Sequence, residues 1–178
     1  ARLAYSTISQ LSYIVLGGML ANEWGIIGGG MHIAMHAFGK ITLFFAAGAI
    51  MVAAHEKKIS RMHGLGRTMP ITFGAFFVGS LSIIGLPPAG GTLEAGQVGL
   101  LCVLMLSSLL GLYYLLEVPV KAFFFPPPED AHHSEGIKEA PLPSLIAMCV
   151  TATATVVLFF WPGLFHELMS MVVAGGGS

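Results

Sequence analysis

Charge is scarce in this chain. Only eight residues are Lys or Arg and nine are Asp or Glu, a charged share of 10% against 55% hydrophobic, and the mean hydropathy is +0.82. Soluble domains carry about 25% charged residues, so that class is excluded and a polytopic membrane protein is implied. A formal net charge of −1 without any basic stripe leaves no footprint for nucleic acid. Cysteine is nearly missing as well. Cys102 and Cys149 both fall inside apolar stretches, which excludes a disulfide framework and a Cys-based zinc site. The apolar runs lack period-2 alternation, so a transmembrane β-barrel is excluded too. No charged n-region with a short apolar core and a cleavage site opens the chain. Its first residues, Ala1-Arg2-Leu3-Ala4-Tyr5, read as a helix entrance, and a start inside a longer protein is expected.

Five long apolar segments are present, at residues 3–21, 26–54, 69–87, 93–118 and 142–168. Each is close to or above the roughly 20 residues that span a bilayer. Hydrocarbon offers backbone groups no water, so all five are expected to be helices and the fold class all-α. Lys57, Lys58, Arg61 and Arg67 cluster between the second and third segments. The positive-inside rule puts that loop in the cytoplasm. If every segment crosses, the polar linker 121–140 is cytoplasmic too, with a short interfacial helix near 118–125, and the fifth segment carries the C-terminus outside. The linker holds Pro126-Pro127-Pro128 and His132-His133, which read as solvated loop rather than a metal tract. The expected division is a helical core at 1–120, the linker at 121–140, a terminal membrane helix at 141–172 and a flexible tail at 173–178.

Ionisable side chains inside such segments carry the most information. His32, His36 and Lys40 are spaced four apart in the second segment. Each step of four turns a helix by about 400° and rises about 6 Å, so the three groups share one face over about 12 Å of depth. An ionisable group in hydrocarbon costs at least about 2.5–3.5 kcal/mol and normally faces a bundle interior or a wet cavity. A proton or cation pathway follows. Imidazole, with an ordinary pKa of about 6.5, suits a proton wire as it stands. An amine joins one only through burial or a neighbouring cation. The expected roles are therefore relay for His32 and His36 and proton storage for Lys40. Coulomb coupling of about 4 kcal/mol at 4 Å, for an effective dielectric near 20, lets one approaching charge switch such a store. The same His-x3-His spacing suits zinc, but no Glu follows the first histidine and no third ligand stands at a telling distance, so no metal is expected.

Other polar groups are secondary. Ser6, Thr7, Ser9, Gln10 and Ser12 make the first segment unusually polar, which fits interhelical hydrogen bonding and a water-lined path alike. Glu117 ends the fourth segment and reads as interfacial or as a gate. Glu94 and Gln97 open a helix, while Ser107 and Ser108 read as small-residue packing. The aromatic residues are scattered through all the apolar segments, so no cofactor box is indicated and no cofactor is expected. Gly85-Leu86-Pro87-Pro88-Ala89-Gly90-Gly91 breaks the third segment around Pro87 and Pro88, either as a break at membrane depth or as an ordinary loop at the interface.

Taken together, several stretches resemble the proton-conducting family shared by Mrp-type cation/proton antiporters and the antiporter-like subunits of complex I and membrane-bound hydrogenases. They are Ala4-Tyr5-Ser6-Thr7-Ile8-Ser9-Gln10-Leu11, then His32-x3-His36-Ala37-Phe38-Gly39-Lys40 with Leu43-Phe44-Phe45-Ala46-Ala47-Gly48, then Gly64-Leu65-Gly66-Arg67-Thr68-Met69-Pro70 and Gly85-Leu86-Pro87-Pro88. The Ile41-Thr42-Leu43-Phe44-Phe45 run is most similar to the D-type large subunit of Mrp antiporters. The resemblance implies a bundle of about fourteen helices built on two inverted repeats, with this chain as its C-terminal portion. It assigns His32, His36 and Lys40 to the buried polar axis of the second half-channel. It further implies a multisubunit Na⁺/proton antiporter in the bacterial inner membrane, with other membrane subunits, protons, a monovalent cation and lipid as partners. A proton-pumping redox complex is the alternative, and a structural subunit without transport is the third class.

Two departures limit that transfer. The family follows its Pro-Pro break with a Gly-Phe-x-Ser-Lys-like segment and an apolar half-helix, whereas here Gly90-Gly91 runs straight into Thr92-Leu93-Glu94. Either a segment is missing at that join or this member lacks the terminal charged group. The first half-channel's glutamate and lysine would lie upstream of Ala1, so this piece alone is not expected to be a competent antiporter.

Overall fold

The structure, a computed structural model, describes residues 2–55, 58–84, 98–126 and 139–175. Among these residues it is helical, with α1 at Arg2–Met19, α2 at Glu23–Ala54, α3 at Leu65–Thr68, α4 at Pro70–Ile84, α5 at Val98–Phe124, α6 at Leu142–Phe160 and α7 at Gly163–Gly175. A 3-10 turn, Ile59–Arg61, lies between α2 and α3. The Pro87-Pro88 break and the Gly90–Thr92 join fall outside the described residues.

The architecture is organised around α2. Its 32 residues give a rod about 48 Å long at 1.5 Å per residue, well beyond a hydrocarbon core of about 30 Å. Asn22 starts it, accepting a 2.7 Å hydrogen bond from the Gly25 N–H through its side-chain oxygen. This satisfies one of the orphan donors of a first turn. His55 ends it in the left-handed region at φ 54°, its N–H bonded to the Met51 carbonyl at 3.1 Å. The tight turn through Ala21 folds α1 back antiparallel onto α2. There the two backbones touch: a Cβ built on Gly25 would lie 2.4 Å from the Gly17 carbonyl oxygen.

Helices α1, α4, α6 and α7 all pack on α2, and α4 also packs on α5 and α6. Leu43, Ala46, Ala49 and Ile50 of α2 form the core with Met69, Phe73 and Phe76 near and within α4, Leu115 and Ala122 of α5, and Met148 of α6. Gly39 and Gly79 mark the crossing of α2 and α4, where small residues let helices approach closely. Outward faces are apolar, as with Tyr5, Ile8 and Val15 on α1 and Val103, Leu106 and Leu110 on α5.

Three differences from the expected layout have plain causes. Among the described residues three helical stretches, Glu23–Ala54, Met105–Phe124 and Leu142–Phe160, are by length and composition long and apolar enough to cross a membrane. The serines and glutamine of α1 lower its hydropathy, and the described part of the third segment forms a shorter apolar helix at Pro70–Ile83. The fourth segment's helix does not stop at Val118. It continues through Pro119 to Phe124, so the first residues assigned to the linker, and the separate short helix expected there, are one continuous helix. The expected terminal helix at 141–172 is two helices. Pro162 has no N–H to continue α6 and restricts Trp161 before it. The Trp161 N–H closes α6 on the Val157 carbonyl at 2.8 Å, and the His166 N–H opens α7 on the Pro162 carbonyl at 3.0 Å. α7 then returns onto α2, with Met169 seated over Gly30.

Candidate functional site

Helical spacing places His32, His36 and Lys40 on one face of α2, and α1 covers that face. The antiparallel register sets Leu3 beside Lys40 and Tyr13 beside His32, with Ser6, Thr7 and Gln10 on the stretch of α1 between them. Lys40 is 5% exposed and His36 9%. The α1 residues that share this interior are also buried, Ser6 and Gln10 among them.

Contacts along the face run from ring to ring and then to the amine. The His32 and His36 imidazoles are nearly parallel, 17° apart, with centroids 5.9 Å from each other. Tyr13 meets His32 edge-on at 85° and 6.2 Å. Lys40 Nζ donates to the Leu3 carbonyl at 3.0 Å, and the same oxygen accepts from Thr7 Oγ1 at 2.9 Å. Among the described residues six buried side-chain polar atoms have no hydrogen-bond partner, His63 Nε2 and Ser82 Oγ away from the ladder and four others: His32 Nε2, both His36 ring nitrogens and Ser6 Oγ. Buried polar atoms are ordinarily satisfied, by protein or by ordered water. These four lie on the ladder and on the helix covering it, which is the inventory a chain of water molecules needs.

The structure therefore brings together His32, His36, Lys40, Ser6 and Gln10, with Thr7 bonded to the carbonyl that holds the lysine. Ser9 is half-buried on α1. Glu117 forms an ion pair at 2.6 Å with Lys121 one turn further along α5. The Leu3 carbonyl escaped the sequence reading because a backbone oxygen carries no residue signature. Ser107, read as packing, accepts a hydrogen bond from the Tyr13 hydroxyl. Neither residue stands out without the register of α1 against α2 and α5.

Residues 1–124 match the family described as NADH:quinone oxidoreductase/Mrp antiporter, TM. Among curated proteins, NADH-quinone oxidoreductase subunit N of Desulforudis audaxviator is 35% identical over 184 residues, covering 93% of this chain and 36% of the relative. F(420)H(2) dehydrogenase subunit N of Methanosarcina mazei is 30% identical, covering 93% and 37%. Campylobacter jejuni NADH-quinone oxidoreductase subunit L is 31% identical, covering 94% and 29%. The chain thus spans about a third of the length of these relatives. A solved structure titled as the Mrp complex from Dietzia sp. DQ12-45-1b superposes with a TM-score of 0.79 at 24% identity, covering 94% of this chain and 41% of that one. The chain belongs to the NADH:quinone oxidoreductase/Mrp antiporter transmembrane family.

Proposed function

We propose that this chain carries the second half-channel of a proton-translocating antiporter-like subunit, in which protons pass along His32, His36 and Lys40. The observation that carries the reading is the ladder itself. Three titratable groups line one covered face of a membrane-length helix, and three of their ring nitrogens are buried without a partner. A water chain joining those nitrogens would let the histidines relay while Lys40 stores a proton against the Leu3 carbonyl. Ser6, Thr7, Ser9 and Gln10 supply polar lining, and Glu117 with Lys121 stands at the far end of α5. A purely structural subunit has no use for this arrangement, since buried His36 and Lys40 and half-buried His32 cost energy that apolar packing would not.

Coupling to Na⁺ or another monovalent cation, in a multisubunit antiporter of the bacterial inner membrane with other membrane subunits as partners, is the first reading of the energy source. Similarity in fold to an Mrp complex chain supports it. A redox-driven pump is the second reading, favoured by the 30–35% identity to subunits N of NADH-quinone oxidoreductase and F(420)H(2) dehydrogenase. Copurification of the tagged full-length protein separates them. Small membrane subunits alone support the antiporter, and subunits carrying iron–sulfur clusters support the redox pump.

A further inference from the structure

The His32 end of the ladder is held by a residue that the proton path does not need for titration. His32 Nε2 is buried and no hydrogen bond fixes it, and the second side-chain torsion of an imidazole is intrinsically broad. Its ring plane is nonetheless defined, with His36 stacked on one side and Tyr13 edge-on at another. Tyr13 in turn is tethered, its hydroxyl donating to Ser107 Oγ on α5. Three helices, α1, α2 and α5, therefore meet in a chain of contacts that ends on the His32 ring.

We propose that Tyr13 is a positioning residue for His32, with Ser107 as its anchor, and that this tether keeps the His32 and His36 imidazoles aligned for proton transfer. The inference rests on the proton-axis reading above and adds to it a part that neither titrates nor binds a cation. An edge-on aromatic contact is favourable and directional, because the positive ring edge meets a π-face. A tyrosine free to rotate would supply that contact only part of the time. Removing the hydroxyl bond frees the phenol, and through it the imidazole, without opening a cavity.

The test uses the full-length subunit assembled in its complex, with proton uptake into everted vesicles read by a pH-sensitive dye. Tyr13→Phe and Ser107→Ala are each expected to slow uptake by about three- to tenfold, the scale of a modest misplacement of reacting groups. Since both cut one link, the double variant is expected to be no slower than either single one, the non-additivity of residues acting as a unit. Ser107→Thr, which keeps a hydroxyl, recovers most of the loss, and the ¹⁵N signal of the His32 ring broadens in Tyr13→Phe. Equal assembly of all variants accompanies the supporting result. Uptake at the normal rate in Tyr13→Phe, with Lys40→Ala inactive, overturns the positioning role and leaves the proton axis standing. So do losses that multiply in the double variant. Normal uptake in Lys40→Ala removes the proton axis, and the positioning role with it.

Discussion

Glu139 and Thr72 are joined carboxylate to hydroxyl at 2.7 Å, although they stand 67 residues apart in sequence. The other oxygen of the same carboxylate accepts from the Ile71 N–H, also at 2.7 Å. α4 begins with Pro70, and its first turn receives a cap from the stretch just before α6. An anion at a helix N-terminus meets unsatisfied donors and the positive end of the dipole together. The contact also ties α6 to α4 beside the core.

Glu139→Ala is therefore expected to destabilise the protein by about 1–2 kcal/mol, the loss of charge-assisted bonds at a partly exposed site. Glu139→Gln, which keeps an acceptor, loses less. Thermal unfolding in detergent checks this, and an unchanged midpoint in Glu139→Ala would show that water replaces the carboxylate without cost.

The α1–α2 hairpin yields a paired prediction. A Cβ on Gly25 would stand 2.4 Å from the Gly17 carbonyl oxygen and 2.9 Å from Asn22 Oδ1, whereas nothing lies within 4 Å of one on Gly28. Both glycines are helical. Gly28→Ala should be neutral or stabilise by up to about 1 kcal/mol, through helix propensity alone. Gly25→Ala has to push α1 away, and backbone does not yield as a side-chain tip does. It should lower stability by about 2 kcal/mol or more, an overpacking cost. Equal behaviour of the two variants would contradict the close approach.

Lys40 gives the sharpest functional expectation. Lys40→Ala in the full-length subunit should abolish cation-dependent proton exchange in everted vesicles while the complex assembles normally. Thr7→Val removes only the hydroxyl that shares the Leu3 carbonyl, so it should slow exchange without stopping it. Near-normal exchange by a well-assembled Lys40→Ala protein would falsify the storage role.

Much of this fold was legible because the bilayer leaves few choices. Apolar length located α2, α4, α5 and α6, and the four-residue spacing put His32, His36 and Lys40 on one face, where the structure has them. Polar residues on the first segment pointed to an internal helix, and Ser6 and Gln10 are buried. What stayed hidden depends on register or on competition between local rules. Pro119 removes one helical hydrogen bond but leaves α5 whole, because Leu115, Val118 and Ala122 around it are buried. Pro162, followed by Gly163 and flanked by exposed Trp161, has no such packing and ends its helix. Glu139 lay in a stretch read as solvated linker. Its capping role exists only because α4 arrives beside it.

The crossing of α2 and α4 next to Lys40 allows one more discrimination. A Cβ on Gly39 would meet the Ile83 side chain, Cγ1 at 3.1 Å and its end, Cδ1, at 3.6 Å, with the nearest backbone atom, the Gly79 carbonyl oxygen, at 3.7 Å. A Cβ on Gly79 would meet the Gly39 carbonyl oxygen at 3.2 Å and Leu43 Cδ2 at 3.2 Å, one of them backbone. Sequence proximity favours Gly39 as the sensitive position, since it precedes Lys40. Physical reasoning favours Gly79, because only there does the added methyl press on α2 itself, in the turn that carries the lysine. Interiors pack too tightly to absorb such a shift locally. Gly79→Ala is accordingly expected to reduce proton uptake several-fold, consistent with the penalty for small displacements of reacting groups, whereas Gly39→Ala stays close to normal. Uptake rates of the two assembled variants, compared side by side, decide the matter. A larger loss in Gly39→Ala would mean that Ile83 cannot rotate and that the crossing, rather than the lysine's turn, is the rigid element.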